Sequence, residues 1–427
     1  MDISCNLKAW ELGGAGIGRE GRKQTTFRGN ELRLPGFSAA DWPLAIIYPF
    51  RRMLPDTDTY FTRLLAQKGQ PLLIAGPCSA ETEEQVMATA HGLKALGKID
   101  LFRAGIWKPR TRPGSFEGMG AVALPWLQRV KAETGIPTAI EVATPRHVEE
   151  ALAHGIDVLW IGARTTVNPF AVQELADALA GTGVPVMVKN PVNPDVALWA
   201  GALERLERAG ITDLLAIHRG FSTFAPSRYR NAPTWILPIE LKTRFPHIPL
   251  ICDPSHIGGR RDLLLPIAQK ALDLDYDGLI IETHPDPDHA LSDAEQQVTP
   301  QRLGEILSEL KYRYRSSNNA DYLNKAEELR LKMDVADREI VEALARRMAL
   351  VEELAEYKKE NNVKILQFDR WQEIFNTRTE WASKLNVNDK FVAELYKLIH
   401  IESIRKQTEV LNGRPQVDGV AYLGPGL

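Results

Sequence analysis

The stretch Pro71-Leu72-Leu73-Ile74-Ala75-Gly76-Pro77-Cys78-Ser79-Ala80-Glu81 decides how most of this chain reads. A short apolar run breaks at Gly76-Pro77 and delivers a cysteine into the following loop. Such a run, bounded by turn residues, is the pattern of a strand buried on both faces of a parallel sheet. Seven more follow, at 100–105, 137–142, 157–162, 184–189, 214–219, 248–253 and 277–283. Helical patterns separate them, among them 83–96, 120–133 and 170–179. Eight strands alternating with helices over roughly 240 residues predict an α/β fold of the closed (β/α)8 TIM-barrel type, which takes about 250. The polar residues cluster at the C-terminal end of the runs, the end where such barrels carry their reactive groups.

The whole chain, 427 residues, exceeds one ordinary domain and predicts two or three. Hydrophobic residues at 44% and charged ones at 25% are globular proportions, so a large core can form. A formal net charge of −3 speaks against nucleic acid or an anionic membrane as partner. Cys5, Cys78 and Cys252 are too few and too scattered for a disulfide framework. No run approaches the roughly 18 apolar residues of a membrane span, and the N-terminus lacks a signal-peptide pattern. The expectation is a reduced, cytoplasmic protein. Residues 1–55 read as an extension, disordered or loosely packed, because 13–28 is Gly- and Arg-rich without a hydrophobic period. The barrel is expected over 56–314, entered through a helix at 58–67. A polar linker at 315–319, a helical domain at 320–412 and a Gly/Pro-containing tail at 413–427 complete the chain.

The strand ends carry the chemistry. The first run leads to Cys78, the seventh to Asp253 and His256, and the eighth ends in Glu282. The next loop adds Asp286, Asp288 and Asp293. Barrel closure makes the seventh, eighth and first strands neighbours, so a thiol, an imidazole and carboxylates converge on one sector. That mixed donor set suits a borderline divalent transition metal, whereas Mg²⁺ and Ca²⁺ prefer all-oxygen sites. A lone cysteine after a strand is more often a small buried hydrophobe. Four such groups at one barrel rim favour the metal.

A second sector is basic. Arg103 and Trp107-Lys108-Pro109-Arg110-Thr111 follow the second run, Arg164 the fourth, Lys189 the fifth and Arg219 the sixth. Lys189 and Arg219 end near-continuous apolar runs, where an unpaired charge is expensive. Any one of them could be an ordinary solvated cation. Cations from four strands around one pocket call instead for an anion bearing phosphate and carboxylate. A metal beside such a site suits the joining of a phosphorylated substrate to a polarised carbonyl.

Gly76-Pro77-Cys78-Ser79, Lys108-Pro109-Arg110-Thr111, Gly162-Ala163-Arg164-Thr165, Lys189-Asn190-Pro191 and Asp253-Pro254-Ser255-His256 occur in that order. Together they resemble the motifs of the type I 3-deoxy-D-arabino-heptulosonate 7-phosphate (DAHP) synthases, over residues 72–310. The resemblance implies condensation of phosphoenolpyruvate with D-erythrose 4-phosphate, the first step of the shikimate pathway, with one divalent metal ion such as Mn²⁺. It implies Cys78, His256, Glu282 and Asp293 as metal ligands. Arg103, Lys108, Arg164, Lys189 and Arg219 would hold phosphoenolpyruvate, Lys108 as a catalytic group, with Asp253 in the same pocket. Arg110 and Thr111 would meet the aldose phosphate. A sister synthase that makes an octulosonate phosphate shares this barrel but typically lacks the Lys-Pro-Arg-Thr stretch, and ranks second. In this chain Glu117 stands where many members have Gln.

Beyond residue 319 the period is helical. Leu329, Met333, Ala336, Ile340, Leu344, Val351 and Leu354 predict one long amphipathic helix over 319–359. Further helices are predicted over 368–384 and 389–411, the second capped by Asn388. Three helices, one very long, cannot bury that stripe alone, so a homodimer through the helical domain is expected. Arg347 and Lys358 lie on the stripe, which for a lone cation usually means snorkelling at its edge. Leu329-Arg330, Asp337, Arg346-Arg347, Tyr357-Lys358-Lys359, Asp369-Arg370, Ser403 and Gln407, however, resemble the all-helical chorismate mutases in order and spacing.

That second resemblance implies that Arg330, Arg347, Lys358, Arg370, Ser403 and Gln407 surround a dicarboxylate. Arg347, Lys358 and Gln407 would be catalytic, the last two bonded to the ether oxygen that breaks as chorismate becomes prephenate. In the family one arginine crosses from the partner subunit; Arg330 suits that role, being about 100° off the Arg347 face. The family usually has Glu after the arginine matched by Arg370. Here it is Trp371, with Glu373 nearby. The combined expectation is a TIM barrel followed by a small all-α three-helix domain, carrying two activities, with prephenate or chorismate as a feedback effector. The alternative is a helical domain that only binds and regulates.

Overall fold

The computed structural model describes residues 59–108, 114 and 116–413. The expected extension at 1–55 and the tail beyond 413 lie outside the described residues. Eight strands follow in chain order: β1 (Leu72–Gly76), β2 (Leu101–Ala104), β3 (Thr138–Val142), β4 (Val158–Ile161), β5 (Val186–Lys189), β6 (Leu214–His218), β7 (Leu250–Cys252) and β8 (Gly278–Glu282). The helices among them are α1 (Tyr60–Lys68), α2 (Glu83–Leu96), α3 (Leu124–Thr134), α4 (Pro145–Ala153), α5 (Ala163–Thr166) and α6 (Pro169–Leu179). They continue as α7 (Val196–Arg208), α8 (Ile236–Arg244), α9 (Pro254–Gly258), α10 (Leu264–Asp273) and α11 (Pro300–Glu309). Each strand pairs in parallel with the next, and β8 pairs with β1, so the sheet closes into the predicted barrel.

Alternation of side chains across each strand explains why the apolar runs are unbroken. Leu72, Ile74, Leu101, Trp160, Met187, Ile217, Ile251 and Ile280 fill the lumen. Their neighbours, such as Leu73, Phe102, Val186, Val188 and Leu279, face outward beneath the helices. Burying each such side chain contributes about 1.5–3 kcal/mol, so both faces must be apolar. Phe61 of α1 is fully buried against the lumen residues. Asp213, just before β6, accepts the Tyr60 and Phe61 amides at 2.9 and 3.3 Å, which seats α1 at the N-terminal end of the barrel.

The inward register, carried to the strand ends, belongs to Arg103, Lys189, Arg219, Asp253 and Glu282. Pairing of Gly76 with Glu282 brings the loop bearing Cys78 beside that carboxylate. Gly76 has φ 149°, and a Cβ there would collide with the Arg103 carbonyl. Only glycine accepts that close approach of β1 to β2.

The helical region comprises α12 (Ala320–Glu360), α13 (Phe368–Lys384) and α14 (Asp389–Asn412). Asn319 and Asn388 cap α12 and α14, accepting the Tyr322 and Phe391 amides at 3.0 Å each. In α12 only Val351, Ala355 and Lys358 are buried. Leu329, Met333 and Ile340 remain 47, 57 and 56% exposed, so most of the predicted apolar stripe is uncovered in the single chain. Arg315, the first residue of the expected linker, pairs with Asp275 and, at 3.2 Å, with Asp277, both in the segment between α10 and β8. Among the described residues no helix is long and apolar enough to cross a membrane.

Candidate active sites

At the C-terminal end of the barrel, Cys78, Glu282 and Asp293 place their donor atoms within 4.8 Å of one another. Cys78 Sγ lies 3.2 Å from Asp293 Oδ2. His256 joins them through Nε2, 3.7 Å from Glu282 Oε1, while its Nδ1 lies 2.8 Å from Asp253 Oδ2. Burial pushes the Cys78 thiol up to about 12, with Glu282 adding to the effect and Lys108 opposing it. Burial also holds the His256 imidazole down, against the pull of Asp253. Burial alone would raise the Glu282 carboxyl, but His256, Arg103 and Lys108 hold it below the usual range. A thiol that needs a cation to lose its proton, a neutral imidazole and two carboxylates fit a borderline divalent metal.

Of the three aspartates in the β8 loop, only Asp293 joins this set. Asp286 pairs with His289 and Asp288 with Arg261, their side chains 63 and 75% exposed. The loop turns them to solvent, which a residue count along the chain could not foresee.

The basic sector meets the donor set directly. Arg103 Nη1 donates to Glu282 Oε1 at 2.9 Å and its Nη2 to the Cys78 carbonyl at 3.0 Å. Lys108 Nζ lies 2.7 Å from that carbonyl and 2.5 Å from Cys78 Sγ. Lys189 Nζ donates to Asp253 Oδ2 at 3.0 Å. Burial would raise the Asp253 carboxyl, yet His256 and Lys189 keep it well below the carboxylate range. Arg219 Nη1 donates to Asn231 Oδ1 at 2.7 Å, and burial lowers its guanidinium to about 10. Arg164, near the start of α5, is exposed and close enough to Arg219 to disfavour its charge. Arg110 and Thr111 lie outside the described residues.

Sequence reasoning missed four contributors. Trp160 floors the site, with Arg103 5.0 Å and Lys189 5.8 Å from its ring centroid, close enough for cation–π attraction. Its indole N–H donates to Glu141 at 3.1 Å. Arg230 holds Asp293 Oδ1 at 2.9 Å. Gln296 Nε2 reaches Glu282 Oε2 at 2.5 Å. For Trp160 and Glu141 the signal was available: both share the inward register of their strands. Arg230 and Gln296 sit in loops and had none.

In the helical region Arg347 Nη1 donates to Ser403 Oγ at 2.7 Å. Lys358 Nζ donates to Gln407 Oε1 at 2.9 Å and to the Ile365 carbonyl at 2.6 Å. Burial holds both cations below their ordinary values. His400, one turn before Ser403 on α14, stacks on Trp371 with centroids 4.0 Å apart. Burial lowers its imidazole, and Arg347 and Lys358 lower it further, so it lies among the same cations. Arg370 pairs with Glu373 at 2.5 Å, both side chains 55% exposed, so Glu373 does not stand in for the expected carboxylate within this chain. Arg330 is exposed beside Glu327. Seventeen residues from Arg347, it is about 25 Å away along the helix axis.

Residues 57–315 match the family model described as "DAHP synthetase I family". Residues 329–408 match "Chorismate mutase type II". A phospho-2-dehydro-3-deoxyheptonate aldolase of Thermotoga maritima is 33% identical over 239 residues, 56% of this chain and 68% of that protein. A 2-dehydro-3-deoxyphosphooctonate aldolase of Nitratidesulfovibrio vulgaris is 31% identical over 275 residues, 60% of this chain and 95% of that protein. The crystal structure of the Thermotoga maritima phospho-2-dehydro-3-deoxyheptonate aldolase (DAHP synthase) matches with a TM-score of 0.51 and 30% identity, covering 56% of this chain and 68% of that one.

Proposed function

Because the chain belongs to the DAHP synthetase I family, we propose that its barrel performs a metal-dependent condensation of phosphoenolpyruvate with D-erythrose 4-phosphate. The chain is an enzyme of two activities, a DAHP synthase and a chorismate mutase. Cys78, His256, Glu282 and Asp293 would hold a divalent ion, Mn²⁺ or a similar transition metal, which when bound supplies Lewis-acid polarisation of the aldehyde. Arg103, Arg164, Lys189 and Arg219 bind the phosphate and carboxylate of phosphoenolpyruvate above Trp160, and Asp253 keeps Lys189 and His256 in place. The enol carbon attacks the aldehyde carbon and the new alkoxide takes a proton. Lys108, beside Cys78, is positioned to give it. Water adds to the other alkene carbon and phosphate leaves.

In the helical domain the reaction is a pericyclic rearrangement, so the site needs only to hold a compact conformer and stabilise developing charge. Arg347 with Ser403 takes a carboxylate, while Lys358 and Gln407 meet the ether oxygen. The exposed α12 stripe and the distance of Arg330 from Arg347 support a homodimer in which Arg330 completes the partner's site, with Arg370 contributing to the site of its own chain. Prephenate or chorismate, bound there, is the proposed effector of the barrel. The proposed setting is the cytoplasm, in keeping with free, buried Cys78 and Cys252.

The observation that carries the barrel reading is the convergence of the thiol, imidazole and carboxylate donors with Arg103, Lys108 and Lys189 on one rim. The test is loss of phosphoenolpyruvate absorbance with erythrose 4-phosphate. Chelation should abolish it, Mn²⁺ should restore it, and the mutase should ignore both treatments. Full activity in metal-stripped Cys78→Ser protein would refute the ligand set. The similarity to the octulosonate enzyme supports a second reading, and turnover of arabinose 5-phosphate in place of erythrose 4-phosphate would establish it.

A further inference from the structure

Asp293 opens a short 3-10 turn (Ala294–Gln296) with φ 48°, a left-handed backbone that a non-glycine residue keeps only when its surroundings hold it. Gln296 and Gln297, at the end of that turn, are 1 and 0% exposed, although glutamine is mostly a surface residue. Each commits its amide to a different donor of the metal set. Gln296 Nε2 donates to Glu282 Oε2 at 2.5 Å, and its Oε1 accepts from Arg230 at 2.7 Å. The same guanidinium holds Asp293 Oδ1 at 2.9 Å. Gln297 Oε1 accepts the Cys78 amide at 2.9 Å, and its Nε2 donates to the Ser292 carbonyl at 2.8 Å, next to Asp293. Ser292 Oγ in turn lies 2.6 Å from Ser79 Oγ, next to Cys78.

We infer that Gln296 and Gln297 are positioning residues that set the spacing of the metal donors. One turn supplies Asp293, orients the Glu282 carboxylate through Gln296, and ties the Cys78 backbone to the Asp293 backbone through Gln297. Donors ordered in advance lose less conformational freedom when a cation arrives. The inference rests on the metal reading proposed above. A merely structural role, gluing the β8 loop to the β1 loop, would lower stability without altering coordination. Gln85 provides the contrast: it is buried in the same region and bonds the Ser79 carbonyl and the Glu81 amide at 3.4 and 3.2 Å, touching no donor.

The test is titration of the metal-stripped full chain with Co²⁺ alone, read by the thiolate-to-cobalt charge-transfer absorbance, beside melting temperatures. Gln296→Leu and Gln297→Leu should weaken Co²⁺ binding about 10–100-fold. Gln297→Leu should also reduce the charge-transfer band per bound cobalt. Gln85→Leu should bind as the parent does. If Gln297→Leu fails to fold, Gln296→Leu still decides, since it removes the bonds to Glu282 Oε2 and Arg230, and unchanged Co²⁺ affinity in it overturns the inference. Unchanged affinity in both leucine variants, or an equal loss in Gln85→Leu, overturns the inference. A parent chain that binds no Co²⁺ overturns the metal reading itself, before any substitution is made.

Discussion

Lys189 and Asp253 form an ion pair with side chains 6 and 0% exposed, 3.0 Å apart, at the end of a barrel lumen filled by apolar side chains. Removing one partner of a buried pair costs about 3–5 kcal/mol, because the other charge is left uncompensated. Lys189→Met keeps most of the side-chain volume and should lower the melting temperature by several degrees, abolish the synthase and spare the mutase. An unchanged melting temperature would mean that His256 satisfies Asp253 alone. His218 is a second residue under tension, on the outward register of β6 with Nδ1 2.9 Å from Tyr276 Oη. Burial holds its imidazole down at about 3, against an ordinary 6.5. The folded state therefore refuses a proton that the unfolded state accepts. The stability of the neutral form is complete above pH 6.5 and is lost as pH falls from there toward about 3. One histidine contributes at most about 1.4 kcal/mol per pH unit. His218→Asn should flatten that part of a melting-temperature-against-pH curve, and an acid slope equal to the parent's would refute this account. Lys189 was legible in the sequence because a charge ended an apolar run. Gln297 was not, since a glutamine in a loop looks the same whether it is solvated or fully buried.

At the scale of elements, α12 states its own problem. It spans Ala320–Glu360, yet only Val351, Ala355 and Lys358 are buried. An isolated amphipathic helix gains little from propensity, and most of its stability must come from packing of the apolar face. If a second copy covers that face, Met333→Lys and Ile340→Lys should each place a charge in the interface. The expected outcome is a monomer in sedimentation or light scattering, with mutase activity reduced at least about 100-fold and synthase activity unchanged. That figure corresponds to losing about 2.7 kcal/mol of transition-state stabilisation with the Arg330 contribution. A dimer of normal mutase activity in both variants would place the interface elsewhere. The helix bounds themselves were legible to within a residue, because the three- and four-residue steps and the Asn caps are local signals.

For the molecule as a whole, the proposal is that the mutase site reports to the barrel. Arg315 is tied to Asp275 and Asp277, so the freedom of the connection to α12 rests on 316–319. A ligand changes the synthase only through its differential affinity for two arrangements, and coupling of about 1–3 kcal/mol is typical. Prephenate should therefore slow the parent synthase several-fold. Arg347→Ala should abolish both the mutase and this response while leaving the uninhibited synthase rate intact. A parent enzyme indifferent to prephenate and chorismate would leave the helical domain as a catalyst alone.

The sequence by itself determined the alternation of strands and helices, the closed barrel, the three terminal helices and both family resemblances. Those rest on periodicity and on motifs of adjacent residues, which a linear chain displays in full. The convergence of Cys78, His256 and Glu282 on one rim also followed from the strand order, but tertiary structure alone decided which atoms touch and which loop residues join them. Closure set Gly76 against Glu282 and so brought Cys78 to its carboxylate partners, while the β8 loop turned Asp293 inward and Asp286 and Asp288 to solvent. It also recruited Arg230, Gln296 and Gln297, whose partners lie far away in sequence or around a turn. Such contacts depend on loop paths, which are set by the packing of the whole barrel and leave no period in the chain.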